Sequence, residues 1–367
     1  LFVISPPTPG VALTPSRAQS TGSPESHANA QRKGVLLVNL GTPDAPQAGP
    51  VRRYLREFLS DPRVIDIPAL ARFLLLNLII LPLRPRKSAA AYATIWTDRG
   101  SPLLFHSRDL VEKVRAILGP ETPVALGMRY GNPSIASAVE ELERAGAADI
   151  TCLPLFPQYS SAANGSAMEE VMRVVKGRWN VPAIRVLGAF YDDPGFLDAF
   201  AQVARPQLDA FRPDFVLLSY HGLPERHMTK SDTTGGRHCL VASSCCDTLV
   251  EANKYCYRAQ CFATTRGLVK RLGLTEGSYE TTFQSRLGRT PWIKPYTDEF
   301  LPELAKRGVK RIAVLCPAFV ADCLETIEEI GERALHDWKA LGGEELTLVT
   351  SLNSEDVWAE WVARAVR

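Results

Sequence analysis

The strongest constraint on the fold is a repeated alternation. Short apolar runs bounded by turn residues are each followed by a stretch of helical periodicity. Gly34 to Gly41, Val124 to Met128, Ile150 to Phe156 and Ile184 to Leu187 read as buried strands, and further strands are expected near 215–219, 279–283, 311–315 and 346–350. Val51 to Phe58, Leu104 to Leu118, Ser166 to Val175 and Phe196 to Phe211 read as helices. Ser134 opens another, with Ile135, Val139 and Leu142 on one face, and Val357 to Val366 closes the chain. Such alternation implies parallel sheets with helices on both faces. The 367 residues, 46% of them hydrophobic, suffice for two domains. The expected fold class is therefore α/β, with two Rossmann-like lobes, each a four-stranded parallel sheet flanked by helices. The lobes are expected at 34–189 and 190–367, facing each other across a cleft. No GxGxxG follows any strand, so a dinucleotide site has no support.

The formal net charge is only +2 and the basic residues are scattered, which leaves no footprint for nucleic acid. The first 33 residues are rich in Pro, Ser, Thr and Ala, show no periodicity and are expected to be disordered.

Two strand ends carry chemistry-bearing residues. Phe215-Val216-Leu217-Leu218 runs into Ser219-Tyr220-His221-Gly222-Leu223-Pro224. The run Arg311 to Leu315 leads into Cys316-Pro317 and on to Asp322, Cys323, Leu324, Glu325 and Thr326. In open α/β sheets such ends point into the ligand crevice. An imidazole at one and carboxylates at the other suit a cleft that handles protons or metal. Asp322, Glu325 and Glu329 are spaced to share one helical face, as a relay or as an ordinary solvated face. His221 alone would equally fit a histidine satisfied by a backbone hydrogen bond.

Phe73 to Leu83 is almost continuously apolar and is followed by Arg84-Pro85-Arg86-Lys87. It is about half of the ~20 residues a bilayer span needs. It fits a buried helix, or an exposed lip over 64–87 with a basic edge that touches a membrane surface or a greasy ligand.

Five of the eight cysteines, Cys239, Cys245, Cys246, Cys256 and Cys261, fall in an insert at 232–262. Clustered thiols in a chain of this size favour metal ligation over a disulfide framework, with zinc and iron–sulfur both open. Cys152, Cys316 and Cys323 read as small core residues.

From about Gly34 to its C-terminus the chain resembles ferrochelatase. The resemblance rests on Val38-Asn39-Leu40-Gly41-Thr42-Pro43, Gly127-Met128-Arg129-Tyr130, Phe156-Pro157-Gln158-Tyr159-Ser160, Ser219-Tyr220-His221-Gly222, Thr282 to Gly288, Pro291-Trp292, and Cys316-Pro317 through Leu324-Glu325-Thr326, in the family's order. It implies two Rossmann-like lobes around a porphyrin cleft. It also implies insertion of ferrous iron into protoporphyrin IX to form protohaem, the last step of haem biosynthesis. His221 and Glu325 match the family's catalytic pair and would also contact the substrate iron, with Asp322 and Glu329 along a proton or metal path. Leu40, Arg129, Tyr130, Ser160 and Trp292 match porphyrin-pocket positions. The 64–87 lip matches the family's pocket cover, which implies a cytoplasmic enzyme in peripheral contact with the membrane. A homodimer is also open.

The cysteine insert resembles that of family members holding a [2Fe–2S] cluster. The implied ligands are Cys239, Cys246, Cys256 and Cys261, since adjacent Cys245 and Cys246 seldom both bind. Should Cys261 not be a ligand, both would be needed. Two departures stand out. Cys323 occupies a position where many relatives have histidine, and Leu40 can only pack on a macrocycle, which leans towards protoporphyrin over coproporphyrin. The alternatives are a coproporphyrin or other tetrapyrrole chelatase and a non-catalytic porphyrin-binding protein.

Overall fold

Two parallel sheets carry the molecule. The computed structural model describes residues 32–288 and 290–367. In it, β1 (Arg32–Thr42), β2 (Val124–Gly131), β3 (Ala147–Pro154) and β4 (Ala183–Val186) form one sheet in the order β2-β1-β3-β4. The second sheet, in the order β6-β5-β7-β8, is built from β5 (Phe215–His221), β6 (Tyr279–Gln284), β7 (Arg311–Leu315) and β8 (Glu345–Leu348). Every pairing is parallel. β1 and β5 are central strands with both faces covered, so their inner residues are apolar without alternation: Leu36, Leu37, Val38, Leu217 and Leu218 are fully buried. The chain thus adopts the two-lobed α/β class expected of it.

One hydrophobic core reaches both sheets. It includes Val35 and Leu37 of β1, Val216 and Leu218 of β5, and Val111, Phe196, Phe200 and Trp358 from the helices Pro102–Leu118, Pro194–Phe211 and Asp356–Ala365. The C-terminal helix packs back on Pro102–Leu118. Residue 190 therefore falls between the sheets, but the core does not divide there.

Nearly all of the segment expected to be disordered, 1–33, lies outside the described residues. Arg32 and Lys33 belong to β1. The Arg32 guanidinium donates to the carbonyls of Pro120, Glu121 and Ala145, which fixes this strand end although its sequence is charged.

Both sheets share a switch. The chain leaves β1 to one side for β2 and returns on the other side for β3; β5, β6 and β7 repeat the move. Ligands bind beyond the carboxyl ends of strands at such points. Leu40 lies near the end of β1, Ser160 just past β3, His221 at the end of β5 and Glu325 past β7. At the end of β1, Gly41 has φ +114°, and a Cβ there would lie 1.8 Å from the Tyr130 carbonyl oxygen, so only glycine fits.

Candidate active site

A cavity of about 580 Å³ opens where the two switch points meet. Leu40 and Ser160 line it from the first half, and His221, Trp292 and Glu325 from the second. The imidazole and the carboxylate, 104 residues apart in sequence, face one space.

The His221 ring is oriented by its own loop. Nδ1 lies 2.6 Å from the Gly222 carbonyl oxygen. A carbonyl only accepts, so Nδ1 carries a proton; in the uncharged tautomer this leaves the lone pair on Nε2. The Trp292 and Phe319 rings flank it at 6.5 and 6.3 Å between centroids. One ring nitrogen is thus satisfied by the backbone.

Gln284 joins the two motifs. It pairs in register with His221, its amide donates to the Glu325 carbonyl at 2.6 Å, and its side-chain oxygen accepts from Ser219 Oγ at 2.7 Å. Gly222 N–H donates to the Gln284 carbonyl at 2.8 Å, and a Cβ on Gly222 would come within 2.9 Å of that oxygen.

The shared helical face expected for Asp322, Glu325 and Glu329 is not formed. Asp322 precedes the helix, and Glu325 sits in the short turn Leu324–Thr326, which passes into a π-helical stretch, Ile327–Ala334. Asp322 is buried and accepts from Thr326 Oγ1 (3.1 Å) and Asn353 Nδ2 (2.8 Å). Glu329 accepts from Ser285 N–H (2.9 Å) and Oγ (2.5 Å). Of the three, only Glu325 lines the cavity.

Arg129 and Tyr130 also lie outside the cavity lining, contrary to the role inferred for them. The Arg129 guanidinium donates to Asp61 (2.8 Å) and Ser166, and the Tyr130 hydroxyl donates to the same Asp61 carboxylate (2.9 Å). Their polar groups are consumed behind the wall. Burial works to raise the Asp61 pKa, but hydrogen bonds from Ser166, Arg63 N–H and Tyr130, with the Arg129 charge, hold it below its ordinary value.

Two cavity residues had no distinguishing signal in sequence, and a third, Arg84, was legible only as part of the lip's basic edge. Tyr54 and Tyr92 look like core aromatics, yet both line the cavity. Burial, with the nearby Glu325 charge, pushes both phenols well up, so they stay neutral donors beside that carboxylate. Arg84 reaches the cavity from the lip and has no acidic partner among the described residues. Ser160 lines the cavity as expected, but its hydroxyl accepts from Ala163 N–H at 3.0 Å.

From Ala69 the lip is helical, as Ala69–Leu74, a π-helical stretch Leu75–Ile80, and Leu81–Ile95. Leu75, Ile80 and Arg84 face the cavity, whereas Leu70, Phe73, Leu78 and Leu83 are 71, 62, 68 and 70% exposed. The buried-helix alternative thus holds for one side only. Among the described residues no helix is long and apolar enough to cross a membrane.

All five clustered cysteines are buried and unbridged. The Cys245 and Cys246 sulfurs are 3.7 Å apart, and Cys256 Sγ lies 3.7 Å from Met228 Sδ. Cys261 is fully buried in the helix Tyr257–Leu272. Burial pushes the Cys239 thiol up to about 11. The donors are the soft thiols an iron–sulfur or zinc centre needs. Among the described residues, however, no three Cys, His, Asp or Glu side chains stand ready as an ion's ligand shell.

Residues 32–367 match the Ferrochelatase family model. This chain belongs to the ferrochelatase family. It inserts ferrous iron into protoporphyrin to make haem. A ferrochelatase of Coxiella burnetii (strain CbuK_Q154) is 47% identical over 343 residues, covering 92% of this chain and 94% of the relative. One of Legionella pneumophila (strain Corby) is 49% identical over 328 residues, covering 89% and 96%. Among solved structures, the sirohydrochlorin chelatase SirB from Bacillus subtilis subspecies spizizenii, in complex with cobalt, superposes with a TM-score of 0.51 at 12% identity. It covers 92% of this chain and 94% of its own, and shows a shared fold.

Proposed function

We propose that His221 and Glu325 work as a pair on a protoporphyrin IX held in the 580 Å³ cavity. A free-base porphyrin loses two pyrrole protons as it gains one ferrous ion, so charge balances only if both protons leave. His221 Nε2, the free nitrogen of a ring oriented by Gly222, takes the first. The Glu325 carboxylate offers a second acceptor and a negative charge for the arriving dication. The neutral phenols of Tyr54 and Tyr92 hold that end of the cavity polar without competing for protons. Leu40 and Trp292 supply apolar walls for a macrocycle, and Arg84 a cation for a propionate. The observation that carries this reading is one cavity shared by the two motifs.

The exposed leucines and phenylalanine of the lip, beside exposed Arg84, Arg86 and Lys87, form an apolar patch with a basic rim. It suits contact with an anionic bilayer from which a poorly soluble porphyrin is taken. For the insert, we propose a [2Fe–2S] cluster. The 3.7 Å between the Cys245 and Cys246 sulfurs lets both serve one centre, which favours Cys239, Cys245, Cys246 and Cys256 over a set with Cys261. Metal insertion transfers no net electron, so the cluster's place is in stabilising the fold or in sensing. Anaerobic incubation with ferrous iron and protoporphyrin IX tests the main reading. Protohaem formed over many turnovers supports it, and binding of porphyrin without metallation contradicts it.

A further inference from the structure

The lip is tied at its root to the loop that carries the catalytic histidine. The Asp66 carboxylate accepts from Arg226 Nε (2.6 Å) and Nη2 and from Lys230 Nζ (2.7 Å), and His227 Nε2 stands 3.3 Å from it. These three residues lie on the helix Glu225–Ser231, which starts four residues after His221. Arg226 and Lys230, four apart, present their charges on one side.

That helix is held in place from elsewhere. Met228 is buried with its sulfur 3.7 Å from Cys256 Sγ. Pro224 bridges to Trp292. Asp232 at the C-cap accepts from the Thr234, His238 and Cys239 N–H groups. At the lip end, Arg72 of the first lip helix donates to the carbonyls of Ile65 (3.3 Å) and Ile67 (3.0 Å), either side of Asp66. The carboxylate thus joins an anchored cationic helix to the first turn of the lip. Asp66 does not line the porphyrin cavity, although its partners Arg226 and His227 do. It borders an adjoining cavity of about 550 Å³.

We propose that Asp66 is a positioning residue, a latch that fixes the root of the lip to the His221 loop and so sets how fast porphyrin enters and haem leaves. This rests on the reading of the lip as the cover of the porphyrin cavity. Burial opposes the Asp66 charge, but the hydrogen bonds from Arg226 and Lys230, with the His227 interactions, hold its carboxyl well below the usual carboxylate range. The latch is therefore charged at any working pH. Removing that charge leaves the cationic helix without its counter-ion, and the lip root loses its tether.

The test compares wild type with Asp66→Asn, Asp66→Glu and Lys230→Met. Porphyrin dissociation is followed by stopped-flow fluorescence, and lip opening by tryptic cleavage after Arg86 and Lys87. Asp66→Asn is expected to raise the porphyrin dissociation rate by about tenfold, more than it changes the single-turnover metallation rate, and to speed lip cleavage by a similar factor. Asp66→Glu should restore part of both. Lys230→Met, at an exposed position that tolerates change, should move both the same way by about twofold to threefold. It decides the matter should Asp66→Asn fail to fold. Unchanged dissociation and cleavage in folded Asp66→Asn, or in Lys230→Met where that variant decides, would overturn the latch. Wild type that binds porphyrin but does not metallate it would instead overturn the main reading.

Discussion

The side-chain amide of Gln284 donates to the backbone carbonyl of Glu325 at 2.6 Å, while Gln284 itself lies in register beside His221. One buried residue of β6 thus ties the strand that ends in His221 to the turn that carries Glu325. Gln284→Leu keeps the volume and removes the link, leaving the Glu325 carbonyl and the Ser219 hydroxyl short of a partner at a cost of about 1–3 kcal/mol. The expected outcome in steady-state assays is a kcat lowered about tenfold with the porphyrin KM changed by less than about threefold.

Arg84 is the cavity cation that has no acid to neutralise it among the described residues. A charge-assisted bond to a propionate contributes about 1.5–3 kcal/mol. Arg84→Ala should raise the KM for protoporphyrin about tenfold or more. The dimethyl ester, which has no carboxylate to lose, should show a much smaller change.

Asp61 holds Arg129, Tyr130 and Ser166 together in a buried network. Asp61→Asn leaves the Arg129 charge uncompensated, and urea unfolding near neutral pH should show a loss of about 3–5 kcal/mol. The native carboxyl titrates below its ordinary value of 3.8, so its stabilisation is present above that value and is lost as pH falls below it. The gap between wild type and variant should therefore narrow in strong acid.

The cysteine insert separates two ligand sets spectroscopically. With Cys239, Cys245, Cys246 and Cys256 as ligands, Cys245→Ser should abolish the visible charge-transfer absorption of purified protein, and Cys261→Ser should retain it. The opposite pattern would restore the set with Cys261, and zinc in a colourless wild type would replace the cluster.

Much of the architecture was legible because central parallel strands are apolar on both faces. The runs at 34–41 and 215–218 therefore stood out from their surroundings. His221 and Glu325 were legible because strand ends at a switch point project into the crevice. The spacing of Asp322, Glu325 and Glu329 misled because Asp322 lies before the helix and is held by Thr326 and Asn353, while Ser285 takes up the Glu329 carboxylate. Arg129 misled because its acid, Asp61, is 68 residues away, and nothing local announces the pair. Tyr54 and Tyr92 were silent because lining a cavity and filling a core require the same residue types, whereas Arg84 was legible only as part of the lip's basic edge. The exposed side of the lip could not be separated from a buried helix, since apolarity alone does not say whether protein covers it.

The central claim is that His221 Nε2 accepts a porphyrin proton beside Glu325 in one cavity. The most direct measurement is the anaerobic single-turnover rate of iron insertion in His221→Ala, made alongside the protoporphyrin dissociation constant of the same variant. The account predicts a rate at least about a hundredfold below wild type, with porphyrin affinity within a few-fold. A variant that binds porphyrin and metallates it at the wild-type rate would contradict it.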